Sequence, residues 1–186
     1  DNELLLQRVF AILVTAHYQT KPADLKLLLD NPNVHLACVF LGEKHHESLI
    51  GVALLLAEGE WCNQQFDEQD VQAVSNSQRR LVSQFTPQSL LAHCGVDHAF
   101  QYAYLRIMRI AIHPSHQQQG FGRLFIESIV QWSAQQGADF IGASFGANQS
   151  LLSFWLDSGF EPIRLGFTQD KASGEHSALV LNSLSD

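Results

Sequence analysis

Apolar residues in the first stretch of the chain fall at Leu5, Val9, Ile12, Leu13 and Ala16, so the spacing predicts a helix over Leu4 to Tyr18. Pro22 at a first turn predicts a second, short helix over Ala23 to Asp30, stopped by Asn31-Pro32-Asn33. Val34 to Leu41 and Leu49 to Ala57 read as strands of a hairpin, joined by the polar stretch Gly42 to Ser48. Between Trp61 and Phe100 the chain turns rich in Gln, Asp and Ser, with apolar positions at Val71, Val74, Leu81, Val82 and Phe85. This pattern predicts helices, with Pro87 opening another at Gln88 to His93. The stretch is too short to bury a core of its own, so residues 61–100 are expected to be an insertion within one domain. Tyr104 to Ile112 is the clearest strand. A polar loop, His113 to Gln119, leads through Gly120-Phe121-Gly122 into a helix that runs to Gln136 and closes at Gly137. A strand at Asp139 to Phe145, a helix at Asn148 to Ser158 ended by Gly159, and strands at Glu161 to Gln169 and Ala178 to Asn182 complete the pattern. No internal repeat is visible.

Composition supports a packed domain: 46% of residues are hydrophobic and 16% charged over 186 residues. The longest apolar runs fall far short of a bilayer span, and no charged-then-apolar signal opens the chain, so neither membrane insertion nor export is expected. Cys38, Cys62 and Cys94 are scattered and form no CxxC pair, which fits reduced thiols in a cytoplasmic protein without a zinc cage. The chain opens Asp-Asn-Glu without a Met and is expected to be part of a longer polypeptide. Its 11 Lys and Arg stand against 19 Asp and Glu, a net −8. A domain that holds a phosphate backbone alone carries a basic face. If the substrate is a nucleic acid, most of the grip is therefore expected to lie outside this chain.

The chemistry is concentrated in Arg109-Ile-Ala-Ile-His-Pro-Ser-His-Gln-Gln-Gln-Gly-Phe-Gly-Arg123. A strand delivers the chain into a tight loop, and a helix begins directly behind it. A helix N-terminus offers unpaired N–H groups and partial positive charge, which suit a pyrophosphate. Gly120 and Gly122 admit that anion close to the backbone and tolerate positive φ. The Lys-Ser/Thr of a Walker loop and the GxGxxG of a dinucleotide fold are both absent. Two glycines can also mark an ordinary strand-to-helix turn. A second element bears on this: Asn148-Gln-Ser-Leu-Leu-Ser-Phe-Trp-Leu-Asp-Ser-Gly-Phe160 resembles the helix that follows such a loop in acyl-CoA N-acyltransferases, in the same order and at a similar separation.

These motifs resemble those of the GNAT enzymes, in which QxxGxG after an RIAI strand receives acetyl-CoA. The implied fold is α/β (α+β): a mixed central sheet flanked by helices, here with a helical insertion, across residues 1–186. Closer likeness lies in Arg106-Ile-Met-Arg-Ile-Ala-Ile-His-Pro, Gly159-Phe-Glu-Pro, Gly174-Glu-His-Ser177, Ala16-His-Tyr-Gln-Thr-Lys-Pro-Ala-Asp-Leu25 and Gln78-Arg-Arg80. Over nearly its whole length the chain resembles the acetyltransferase domain of the tRNA(Met) cytidine acetyltransferase family and its rRNA-modifying relatives. That resemblance implies formation of N4-acetylcytidine in RNA, at the tRNA wobble position for bacterial members. It also implies an ATP-dependent helicase-like module before this domain and an RNA-binding tail after it. A GNAT acting on a protein or small-molecule amine, or a non-catalytic acetyl-CoA-binding domain, are the alternatives.

By the same resemblance, the backbone of Ile110, Ala111 and Ile112 receives the acetyl and pantetheine groups. Gln117, Gln118, Gln119, Gly120, Phe121, Gly122 and Arg123 wrap the pyrophosphate, and Asn148 and Trp155 flank the pantetheine arm. Trp155 stands where many GNAT enzymes carry a proton-donating Tyr, which it cannot replace; it either packs on the cofactor or belongs to the helix core. His17, Tyr18, Glu175 and His176 are expected on the acceptor side, with His17 or His176 as proton handler. His113 is read as shaping the loop, His45 and His46 as solvated turn residues, and His113-x-x-His116 as lacking a third metal ligand. Arg79 and Arg80 either touch RNA phosphate or pair with acids on a helical face.

Overall fold

In a computed structural model of the chain, the structure describes residues 2–16, 26, 29–42, 48–62, 66–169 and 174–185. The described helices are α1 (Asn2–Ala16), α2 (Glu68–Ser75), α3 (Phe85–Cys94), α4 (Phe121–Gln135) and α5 (Gln149–Asp157). The strands are β1 (Val34–Leu41), β2 (Ser48–Gly59), β3 (Ala103–Ile112), β4 (Phe140–Ala147), β5 (Glu161–Gln169) and β6 (His176–Ser183). They form one mixed six-stranded sheet in the order β1-β2-β3-β4-β6-β5. The last strand of the chain thus inserts between β4 and β5. It is antiparallel to both, with Ala147 opposite His176 and Phe140 opposite Ser183. The expected helix at Ala23 to Asp30 and the turn holding His45 and His46 lie largely or wholly outside the described residues.

By packing, the chain divides into two compact units: Asp1–Leu55 with Ile107–Ile129, and Leu56–Arg106 with Val130–Asp186. In the first unit, Val9, Ile12 and Leu13 share one face of α1, as their three- and four-residue spacing requires, and pack on Leu49, Val52 and Leu54 of β2 and Ala111 of β3. From Leu49 to Gly59, β2 is buried at every position, which is why its sequence reads as a continuous apolar run rather than an alternation.

The second unit has a separate core. Tyr104 of β3 and Leu179 and Leu181 of β6 pack against Val74 of α2 and Leu90 and Leu91 of α3, so both helices bury apolar side chains against the sheet strands. Tyr104 is 1% exposed, and its hydroxyl donates to the Ala99 carbonyl at 2.7 Å. Burial, followed by the charges of Tyr102, Asp139 and Glu58, holds its phenol above the ordinary range.

Two sequence expectations fail between residues 61 and 100. Residues 79–84 are not helical, and Val82 is 86% exposed instead of facing a core. Helix α3 starts at Phe85, three residues before the expected Gln88. The cause is Glu58, which is fully buried at the end of β2. Its carboxylate accepts the free first-turn N–H groups of Phe85 at 3.1 Å and Thr86 at 2.9 Å, and Arg106 Nε at 2.8 Å. A helix start can thus be capped by a carboxylate from a distant strand. Pro87 is tolerated because it lies within the first turn, where its missing N–H has no intrahelical partner to lose.

Glutamines knit the rest of this stretch. Gln84, 1% exposed, accepts from the Gly59 N–H at 2.7 Å and donates to Cys62 Sγ at 3.0 Å. Gln88 accepts from the Leu81 N–H at 2.6 Å and donates to the carbonyls of Leu81 and Gln84. The polar composition of this stretch serves its own backbone, which lacks regular ladders there.

Candidate functional site

In the first unit, β3 ends at Ile112, and the His113 N–H donates to the Ile50 carbonyl at 2.7 Å, fixing where the strand releases the chain. A single 3-10 turn follows over Pro114–His116, with His113 Nδ1 accepting from the Ser115 N–H at 3.3 Å. His113 therefore shapes the loop. Gln117 Nε2 donates back to the Ile112 carbonyl at 2.9 Å, and Gln119 Nε2 to the Ser115 carbonyl at 3.0 Å. These two exposed amides tie the loop back onto its own backbone.

Gln118 adopts φ 58° and Gly120 φ 85°. The first α4 hydrogen bond runs from the Leu124 N–H to the Gly120 carbonyl at 3.2 Å. The amides of Phe121, Gly122 and Arg123 thus precede the helical ladder, the donor arrangement that favours an anion. A side-chain carbon added at Gly120 would meet nothing within 4 Å, so the space in front of this turn is open. Arg123 pairs with Glu127 at 3.2 Å, and both side chains are more than half exposed-to-solvent or close to it, at 61% and 50%. Such a pair contributes little and exchanges readily. His116 packs edge-on to Phe121, and its Nδ1 is buried with no hydrogen-bond partner among the described residues. In the sequence, His116 stands out only as the second residue of His113-x-x-His116. Among the described residues no group of three or more His, Cys, Asp or Glu could hold a metal ion. No helix among them is long and apolar enough to cross a membrane.

The second unit holds the other candidates. Asn148 caps α5: its Oδ1 accepts the Leu151 N–H at 2.9 Å, while its Nδ2 donates to Glu175 Oε1 at 3.3 Å. A side-chain carbon at Gly146 would collide with the Glu175 carboxylate, so this glycine makes the room in which Glu175 sits. Next to it, His176 Nδ1 lies 2.8 Å from the Gly166 carbonyl. A carbonyl can only accept, so Nδ1 carries a proton, and in the neutral tautomer this selects the basic lone pair lies on Nε2. Asn148, Leu152, Leu165, Gly166 and His176 line a cavity of about 460 Å³.

Trp155 is 4% exposed and enclosed by Phe145, Phe154 and Phe160, at centroid distances of 5.9, 5.6 and 4.9 Å. Trp155 thus packs among aromatic rings. His17 and Tyr18 lie outside the described residues. The structure therefore brings Glu175, His176 and Asn148 together, and separately Ile112, Gln117 to Arg123 and His116. Gly146 and His116 were missed. Gly146 has a local signal only in hindsight, since its partner is distant in sequence.

This architecture is that of an acyl-CoA N-acyltransferase. A Bacillus subtilis acetyltransferase solved in complex with CoA superposes with a TM-score of 0.59 over 96% of this chain and 93% of its own, at 15% identity, a likeness of fold. The family model described as GNAT acetyltransferase 2 matches residues 8–139 and 130–185, and the chain belongs to that family. Two relatives named tRNA(Met) cytidine acetyltransferase TmcA are similar along it. That of Nitrosococcus halophilus is 39% identical over 99% of this chain, and that of Vibrio cholerae 38% over 95%. The chain spans about a quarter of these relatives' length, 24% and 23%.

Proposed function

We propose that this chain is the acetyl-transferring part of an RNA cytidine N4-acetyltransferase, with acetyl-CoA as donor and the wobble cytidine of elongator tRNA(Met) as acceptor. The observation that carries the reading is the turn from β3 into α4, where Gln118 and Gly120 take positive φ, a side-chain carbon at Gly120 would meet nothing within 4 Å, and the Phe121, Gly122 and Arg123 amides precede the helical ladder. Donors so arranged suit the diphosphate of a coenzyme. The names of the two relatives above support tRNA cytidine as the acceptor.

The residues would divide the work as follows. The amides of residues 120–123 hold the diphosphate, and Arg123 exchanges its exposed carboxylate partner for phosphate. The backbone of Ile110, Ala111 and Ile112 takes the acetyl and pantetheine groups. Cytosine N4 is a weak nucleophile because its lone pair is delocalised into the ring, so positioning of the amine and stabilisation of the oxyanion supply much of the rate. His176 Nε2 accepts the N4 proton as the N4–carbon bond forms and the carbon–sulfur bond breaks. Glu175, held by Asn148 and preceding His176 in the chain, adds negative charge that would favour the resulting imidazolium. Trp155 donates no proton. The sulfur leaves as thiolate, which a thiol of pKa about 8.5 permits. His17 and Tyr18 remain candidates for the acceptor side.

The test supplies the full-length protein with labelled acetyl-CoA and, in parallel, with tRNA(Met), a peptide with a free N-terminus, and a polyamine. Label recovered as N4-acetylcytidine at the wobble position supports the proposal. Label on the peptide or polyamine with unmodified tRNA places the enzyme with other amine-acetylating GNAT proteins. Binding of acetyl-CoA with no transfer to any of the three assigns it a non-catalytic role.

A further inference from the structure

Within the second unit, the end of α2, the turn after it and α3 border a cavity of about 250 Å³ whose lining includes Arg79, Arg80 and Arg164, with Gln88, Ser89 and His93. Three of the chain's 11 Lys and Arg residues thus meet at one cavity of a molecule carrying a net −8. Arg79 is held by Asp70. Among the described residues, no carboxylate lies within 4 Å of Arg80 or Arg164. Like charges brought together without counter-charge raise the free energy of the fold, a cost that an incoming anion removes. His93 lines the same cavity. Burial, then the charges of Arg164 and Arg80, hold its imidazole below its ordinary value.

The backbone also fixes this segment. The N–H groups of Gln78 and Arg79 both donate to the Ala73 carbonyl, at 2.8 and 3.2 Å. Ser77 and Ser83, at φ 57° and 59°, bracket Arg79 and Arg80 in left-handed conformations unusual for serine. Non-glycine residues held there cost free energy and gather at places that bind or switch.

We propose that this cavity is a phosphodiester-binding site that seats the RNA backbone on the acetyl-transferring domain. Guanidinium groups match phosphate oxygens in a two-pronged geometry, and the lining supplies the amide of Gln88 and the hydroxyl of Ser89 as further hydrogen-bonding groups. Contacts of this kind carry no sequence information; they set register and orientation. The site rests on the reading of the acceptor as RNA and deepens it: a domain of the wrong overall charge would still hold one stretch of backbone at a defined place.

The experiment measures retention of tRNA(Met) by the full-length protein across a salt series, for the wild type and for the double variant Arg80→Gln, Arg164→Gln, with acetyl-CoA affinity as the control for folding. The site predicts tRNA affinity about tenfold weaker in the double variant and a plot of log affinity against log salt shallower by roughly 1.5 to 2, the slope of two phosphate contacts. Acetyl-CoA affinity stays at the wild-type value. If the double variant loses acetyl-CoA affinity as well, Arg80→Gln alone decides, at an exposed position, with a slope change of about half that size. Equal tRNA affinity and slope in variant and wild type overturn the site while leaving RNA as the acceptor. Polyglutamate that binds the wild type at this cavity and does not compete with tRNA overturns it in favour of an acidic protein partner. A wild-type protein that retains no tRNA at any salt removes the RNA reading itself, and the site with it.

Discussion

At the scale of single residues, the chemistry depends on which atom of a ring holds the proton. The Gly166 carbonyl fixes the proton of His176 on Nδ1, and Gly146 leaves the space in which the Glu175 carboxylate stands. His176→Gln is expected to lower kcat on RNA by roughly 10²-fold or more, the usual worth of a positioned general base, with acetyl-CoA affinity unchanged. An unchanged kcat would remove His176 from the chemistry and leave His17 as the candidate. His93 offers a second measurement. Its imidazole is depressed first by burial and then by Arg164 and Arg80. Protonation therefore favours the unfolded chain, and its contribution to stability is fully present above pH 6.5, the unperturbed value, and is lost as pH falls through the folded one. Arg80→Gln with Arg164→Gln should raise the His93 midpoint part of the way back towards 6.5 in a proton NMR titration; a fall or no change would show that the guanidinium groups do not act on it.

At the scale of elements, what could be read in the sequence was what is local. The β3 strand, the loop and α4 follow each other directly, so Arg109 to Arg123 announces both the turn and its donors. The asparagine cap of α5 and the glycines after α4 and α5 are equally local signals. The start of α3 could not be read in this way. Its cap, Glu58, is 27 residues away from Phe85 and looks like an ordinary acidic residue at a strand end. Arg106, whose guanidinium also lies over the Phe85 ring at 5.2 Å, completes the arrangement from another strand. Arg106→Leu leaves the carboxylate of Glu58 buried without its cation, and should destabilise the protein by about 3–5 kcal/mol in urea unfolding. A loss below about 1 kcal/mol would mean that the two backbone donors suffice to hold the charge. For the loop, Gly120→Glu places a carboxylate in the open space where a diphosphate would sit, on a backbone whose φ of 85° disfavours any side chain. Calorimetry should find no measurable acetyl-CoA binding by that variant, and normal affinity would refute the assignment of the loop.

At the scale of the whole molecule, fold and family were both legible, because two motifs in fixed order define the acyltransferase frame and their likeness extends along the chain. The insertion of β6 between β4 and β5 was not, since strand order is set by pairings between segments that the sequence does not mark. Nor was the position of Arg164 beside Arg79 and Arg80, which joins a strand near the end of the chain to a turn in its middle. A net charge of −8 leads to the expectation that this chain has little cationic surface to spend, and where three guanidinium groups converge they define a place rather than a face. The claim on which all of this rests is that the turn between β3 and α4 receives a coenzyme diphosphate. A crystal structure of the chain with acetyl-CoA tests it most directly. The account predicts phosphate oxygens about 2.7–3.2 Å from the backbone nitrogens of Gly120 to Arg123. Coenzyme bound at any other surface, with this turn unchanged and empty, would contradict it.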